Sequence, residues 1–162
     1  MANSNACTHD PLALDNQVCF LLYSASRAVT AAYRPLLTDL ELTYPQYLVM
    51  LVMWEANVAG KADCKMTVGQ ICEKLYLETG TITPLIKRLE LAGLLTRKRL
   101  ENDERVVCVS LTEKGEALKS KAAAIPGELL CRLGISPEAL LPAKRMLEEL
   151  NQKLLPLLKG GE

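Results

Sequence analysis

The sequence predicts a mostly α-helical fold with a small β-wing, a winged helix-turn-helix, and three observations predict it. From Thr67 to Thr112 a helix-turn-helix pattern runs directly into a charged hairpin, Arg97-Lys98-Arg99-Leu100-Glu101-Asn102-Asp103-Glu104-Arg105. Two T-x-x-Q capping boxes, Thr43 to Gln46 and Thr67 to Gln70, mark helix starts on either side of a buried helix. Leucine-rich helical patterns at both ends of the chain exceed what a small winged core needs.

In chain order, Asp15 is read as the cap of a first long helix, whose apolar positions Val18, Leu21, Leu22, Val29, Tyr33, Leu36, Leu37 and Leu40 recur at helical spacing. Pro35 removes a backbone donor and should kink that helix or end its regular part. The segment Tyr47 to about Ala56 is apolar almost all round, which predicts a buried central helix. Asn57 to Met66, with Gly60 and mixed charge, reads as a loop or short edge strand. Thr67 then opens a short helix with Ile71 and Leu75 inward. Leu77-Glu78-Thr79-Gly80 turns into a recognition-type helix placed from about Thr81 to Leu91, with Ile82, Leu85, Ile86 and Leu89 on the core side and Gly93 as its left-handed stop. The hairpin follows, with Asn102-Asp103 as the turn, residues suited to left-handed backbone, and with Val107, Val109 and Leu111 alternating to one face. Thr112 caps a helix through Ala124, Pro126-Gly127 breaks it, and Ser136-Pro137-Glu138 starts a last helix carrying Leu140, Leu141, Met146, Leu147, Leu150, Leu154 and Leu155.

With 162 residues the chain is expected to be a single domain, 1–162, in which 43–124 form the winged core and its linking helix. The helices at 10–42 and 125–162 would expose apolar faces if alone, so they are expected to pack on a second copy as a homodimer. Formal net charge is zero, which excludes a generally basic coat but not a local basic face. Met1 to His9 is polar and no apolar run reaches the ~20 residues of a membrane helix, so no membrane association and a cytoplasmic location are expected.

The wing carries Arg97, Lys98, Arg99 and Arg105, a local excess of positive charge. The outward side of the preceding helix offers Thr79, Gly80, Thr81, Thr83, Pro84, Lys87 and Arg88. Threonines near a helix N-terminus can donate to phosphates or touch thymine methyls, while Lys87 and Arg88 suit phosphate positioning. Pro84 is taken to fall within the first helical turn, where its missing donor costs little. Arg105 is the candidate for the minor groove, with Asp103 holding its guanidinium by a bidentate contact. Either element alone could be an ordinary solvated face. Together they point to double-stranded DNA, read as a pseudo-palindromic operator by a two-headed dimer.

The six cysteines, Cys7, Cys19, Cys64, Cys72, Cys108 and Cys131, contain no C-x-x-C pair, and the one histidine, His9, lies in the polar tail. No zinc site is expected, nor any metal or cofactor, and a Cys-His catalytic pair lacks its base. In a cytoplasmic protein all six are thiols by default. Cys72 and Cys108 read as core residues of the helix-turn-helix and the wing.

The blocks Leu14-Asp15-Asn16-Gln17-Val18-Cys19-Phe20, Tyr33-Arg34-Pro35-Leu36-Leu37 and Leu42-Thr43-Tyr44-Pro45-Gln46-Tyr47, then Gly80-Thr81-Ile82-Thr83-Pro84-Leu85-Ile86-Lys87-Arg88-Leu89-Glu90 and Asp103-Glu104-Arg105, resemble the organic-hydroperoxide-sensing repressors of the MarR family, the OhrR group. The resemblance covers roughly residues 14 to 115. It implies a dimeric transcriptional repressor that releases DNA when Cys19 is oxidised by an organic hydroperoxide. It also implies that Tyr33 and Tyr44 donate hydrogen bonds to that cysteine, and that Cys131 resolves the sulfenic acid as an intersubunit Cys19–Cys131 disulfide. The physics agrees with a sensor: a thiolate attacks the peroxide, and Cys19 is placed one turn into the first helix, where the dipole favours an anion. Fourteen residues of helix separate Cys19 from Tyr33, about 21 Å, so the donors are expected from the partner subunit. Without the resemblance Cys19 is as readily a small core hydrophobe. The competing readings are a MarR-type repressor gated by a small aromatic ligand, a thiol peroxidase, and a purely structural dimeric module; an enzyme is not expected.

Overall fold

The computed structural model describes residues 10–57, 64–100 and 103–159. The polar tail with Cys7 and His9, the middle of the Asn57–Met66 segment and the Asn102 half of the hairpin turn lie outside the described residues. Among the described residues, seven α-helices and a three-stranded sheet follow in the order α1 (Val18–Leu37), α2 (Tyr44–Asn57), β1 (Met66–Thr67), α3 (Val68–Leu75), α4 (Thr79–Leu91), β2 (Leu95–Leu100), β3 (Asp103–Leu111), α5 (Glu113–Ala122), α6 (Ile125–Leu133) and α7 (Pro137–Lys159).

Local chemistry sets most boundaries, with several departures from expectation. Asp15 does not cap α1. It lies in a 3-10 turn, Leu14–Asn16, and the N-cap is Gln17, which makes no side-chain cap bond. No side-chain cap thus meets the first α-helical N–H groups, and the Phe20 N–H turns to the Gln17 carbonyl at 3.1 Å. Pro35 is followed by only two more α1 residues before a 3-10 turn at Thr38–Leu40. At α2 only half of the expected box forms: Gln46 Oε1 accepts the Thr43 N–H at 2.8 Å, but the Thr43 hydroxyl donates to the same oxygen instead of accepting from the helix. Thr67 builds the complete box with Gln70. Gly93 adopts φ +72°, the left-handed stop.

The helix from Thr112 ends at Ala122, before Pro126 as expected, but a further helix, α6, then begins at Ile125 that the sequence pattern does not indicate. Pro126 occupies the first turn of α6, where its missing N–H has no intrahelical partner to lose, and Gly134 at φ +64° ends that helix. Ser136 Oγ then accepts the Ala139 N–H at the start of α7.

The core lies between α2, α3, α4 and the sheet. Val49, Met50 and Met53 of α2, Ile71 of α3, Ile82, Ile86 and Leu89 of α4 and Val109 of β3 are fully buried. Strand order is β1-β3-β2, all antiparallel, with Thr67 opposite Cys108, Arg97 opposite Val109 and a bulge between Arg99 and Leu100. Because β3 is the central strand at its inner end, both Cys108 and Val109 are buried there, on opposite faces. The base of the wing is pinned to α2 by Trp54, whose Nε1–H donates to the Gly115 carbonyl at 2.8 Å.

Two of the cysteines are not thiols. Cys64 and Cys108 form a disulfide with Cα atoms 5.5 Å apart, across a sequence separation of 44. This corrects the expectation of six thiols. Cys108 is the buried wing residue expected, but its sulfur is covalently tied to the segment entering β1.

Candidate functional site

The recognition-type helix begins two residues earlier than its sequence pattern indicates, at Thr79, with Glu78 as an N-cap that makes no side-chain bond. Thr79 and Gly80 therefore belong to the helix rather than the turn. Their N–H groups stand in the first turn, where a helix offers donors with no partner of its own. Pro84 is correspondingly not in the first turn but the sixth helical residue. The Gly80 carbonyl loses its helical donor there, and both residues are exposed to solvent, which can replace it. Thr81, Lys87 and Arg88 are exposed, while Ile82, Ile86 and Leu89 are buried, so the polar side faces away from the core as expected.

Helix α4 and the wing face each other across a cleft of about 350 Å³ lined in part by Thr79, Thr83, Arg97 and Arg105. Four of the residues expected to contact DNA are thus gathered around one concavity. Their roles divide, however. The guanidinium of Arg97 is committed to Glu90 of α4, with Nε to Oε2 at 2.8 Å and a second donor to the same oxygen. Its side chain is 28% exposed, so Arg97 ties the wing to the helix more than it projects from it. That hydrogen bond and the positive charge hold the Glu90 carboxyl below its ordinary value, against a smaller opposing effect of burial. The expected grip of Asp103 on the Arg105 guanidinium is not formed. Asp103 Oδ1 instead accepts the backbone N–H of Arg105 at 3.0 Å, a local turn contact two residues long. Arg105 keeps its exposed side chain at the cleft's outer edge.

At the other end of the molecule, Cys19 is the second residue of α1, nearer the open N-terminal amides than the one turn expected, and it is an exposed free thiol. Cys131, on the helix missed in the sequence, is also exposed and free. Tyr33 and Tyr44 pack together, with ring centroids 4.8 Å apart. A third ring joins them: Tyr47, 2% exposed, lies 5.8 Å from Tyr33 and 6.3 Å from Trp54. Burial raises the pKa of all three phenols, and for Tyr33 and Tyr47 neighbouring tyrosines add to it. Each is therefore a neutral O–H donor at any physiological pH. Helix α1 is continuous from Val18 to Leu37, so the tyrosine pair sits far along its axis from Cys19 of the same chain.

Large apolar side chains remain exposed on the terminal helices: Val18, Leu21 and Tyr23 of α1, and Leu141, Met146 and Leu157 of α7. Among the described residues, no helix is long and apolar enough to cross a membrane.

Comparison with known proteins agrees with this geometry. The family model of the SarA/Rot transcriptional regulators matches residues 31–122. The organic hydroperoxide resistance transcriptional regulator of Bacillus subtilis is 49% identical over 148 residues, 89% of this chain and 96% of that protein. Among solved structures, the reduced AbfR of Staphylococcus epidermidis bound to DNA superposes with a TM-score of 0.73 at 32% identity, covering 90% of this chain and 96% of that one. The disulfide-formed AbfR superposes less well, with a TM-score of 0.58 at 33% identity over 90% of this chain and 92% of that one. With 49% identity to the Bacillus subtilis regulator over 89% of its own length and a matching winged-helix fold, the chain belongs to the MarR-type winged-helix transcriptional regulators, in their organic hydroperoxide resistance branch.

Proposed function

We propose that the chain is a homodimeric, cytoplasmic repressor that releases a pseudo-palindromic operator when an organic hydroperoxide oxidises Cys19. The observation that carries this reading is the separation of parts. Cys19 is an exposed thiol in the first turn of α1, while the Tyr33–Tyr44 donor pair lies most of a helix away. A dimer built on the exposed faces of 10–42 and 125–162, with 43–124 as the reading core, brings one subunit's tyrosines to the other's cysteine. Two phenol donors and the α1 N-terminus then favour the thiolate.

The thiolate attacks the terminal peroxide oxygen, the O–O bond breaks, and the alcohol leaves with a proton, giving a sulfenic acid. The Cys131 thiol of the other subunit attacks that sulfur, releasing water and forming the intersubunit disulfide. Closing this bond repositions the two heads, and half-sites about one turn (~34 Å) apart tolerate little change. Thr79, Thr81, Thr83, Lys87, Arg88 and Arg105 contact DNA, with the Gly80 amide at a phosphate. Arg97 acts by positioning the wing.

The test is a DNA-shift measurement on the chain's own upstream region, with and without one equivalent of cumene hydroperoxide. Wild type binds and lets go, Cys19→Ser stays bound, and Cys131→Ser fails to form the crosslinked dimer on a non-reducing gel. Equal release by wild type and Cys19→Ser would overturn the mechanism and favour gating by a small aromatic ligand.

A further inference from the structure

The cysteine pair that the sensing mechanism does not use is Cys64–Cys108, and its surroundings give it a role at the reading head. Cys108 is 3% exposed, in the central strand of the wing sheet, with Lys98 and Thr67 as its cross-strand neighbours in register. Cys64 is half-buried and stands two residues before β1. Thr67, the last residue of β1, is also the N-cap of α3. The bond therefore joins the wing to the start of the helix-turn-helix through a single short strand. The sulfurs belong to one subunit, unlike the expected Cys19–Cys131 pair.

We propose that Cys64 and Cys108 are a second, intrasubunit redox site that organic hydroperoxides oxidise, and that its disulfide locks the reading head in the DNA-binding arrangement. From the proposed function this takes the class of oxidant and the cytoplasmic location. Cys64 is the less buried residue of the two, so its thiolate attacks the peroxide oxygen, the O–O bond breaks and the alcohol leaves with a proton. The buried Cys108 thiol then attacks the Cys64 sulfenic acid, water leaves, and the disulfide forms: two thiols and one hydroperoxide become one disulfide, one alcohol and one water. A dithiol reductant reverses it by exchange. The direction of the effect follows from what coexists with the bond. Thr67 keeps its full capping box, the β1–β3 register is intact, and the chain is closer in shape to the reduced, DNA-bound AbfR than to its disulfide-formed state. Disulfides in cytoplasmic proteins are commonly of this transient, redox-sensing kind.

The experiment uses the full-length Cys19→Ser/Cys131→Ser protein, so that neither sensing cysteine can respond. It is fully reduced, freed of reductant, treated with one equivalent of cumene hydroperoxide and mapped by peptide mass spectrometry without reduction. Expected are a crosslinked peptide joining residues 64 and 108, a band that stays monomeric on a non-reducing denaturing gel, and a melting temperature higher by about 8–16 °C, as a closed loop of this length implies. DNA affinity should change by less than about threefold. Adding Cys64→Ser should abolish the crosslink and the thermal shift together. Absence of the 64–108 peptide, or a loss of DNA affinity above about tenfold when it forms, overturns the proposal. Neither result bears on release through Cys19, which wild type tests separately.

Discussion

Gly115→Ala should destabilise the protein even though alanine is the better helix former. Gly115 is buried in the first turn of α5, and a Cβ built there would lie 2.1 Å from the Leu94 carbonyl oxygen and 3.1 Å from Leu111 Cδ2. The nearer neighbour is backbone, so α5 must retreat by roughly 1 Å to restore an ordinary C···O contact. Three hydrogen bonds meet at this point: Trp54 Nε1 to the Gly115 carbonyl at 2.8 Å, the Gly115 N–H to Thr112 Oγ1 at 3.0 Å, and the Thr112 N–H to the Leu94 carbonyl at 3.1 Å. Stranding the buried indole N–H costs about 1–3 kcal/mol, and loosening the cap about 1 kcal/mol more. Alanine returns at most about 1 kcal/mol through helix propensity. The steric effect wins by roughly 1–3 kcal/mol, which lowers the melting temperature by about 2–12 °C. Urea denaturation of wild type and variant, followed by Trp54 fluorescence and by circular dichroism, measures it. A variant as stable as wild type, or more stable, would refute the close approach of α5 to Leu94. Because that approach anchors the wing root, DNA affinity should fall with stability.

Glu90→Gln should weaken DNA binding several-fold by releasing Arg97 and the wing, with little change in melting temperature because the pair is only partly buried. The low Glu90 pKa also sets a pH dependence. The pair's contribution is complete above the ordinary value of 4.5 and is lost as pH falls through the lower folded value, so any small difference in melting temperature between wild type and Glu90→Gln should vanish in acid melts. Tyr33, Tyr44 and Tyr47 act in the opposite sense. Their folded pKa values lie above 10.0, so their contribution is full below that pH and is lost as pH rises through the folded values, which alkaline unfolding of the three Tyr→Phe variants would resolve. Tyr33→Phe should also slow oxidation of Cys19 by about tenfold in stopped-flow measurements, with DNA affinity retained; an unchanged rate removes Tyr33 from the sensing site. Lys87→Ala and Arg88→Ala should each reduce the slope of log affinity against log salt by about one, without altering sequence preference.

The residues themselves determined the winged architecture, the buried α2 and the recognition helix, because each depends on contacts a few positions apart. Apolar periodicity, the Thr67–Gln70 box and the Gly93 stop are local signals that the fold has no reason to override. Boundaries were less legible: Pro126 reads equally as a breaker or a first-turn residue, and only its packing in α6 against α1 distinguishes the two. The tertiary structure alone decided which partners meet. Glu90 takes Arg97 from a different element, so Arg97 is tied to α4 while Arg105 is exposed. Cys64 finds Cys108 because β1 adds to the wing sheet at β3, a pairing that no spacing among six cysteines specifies. Long-range pairing depends on how strands and helices are brought together in space, and one-dimensional periodicity carries no record of it.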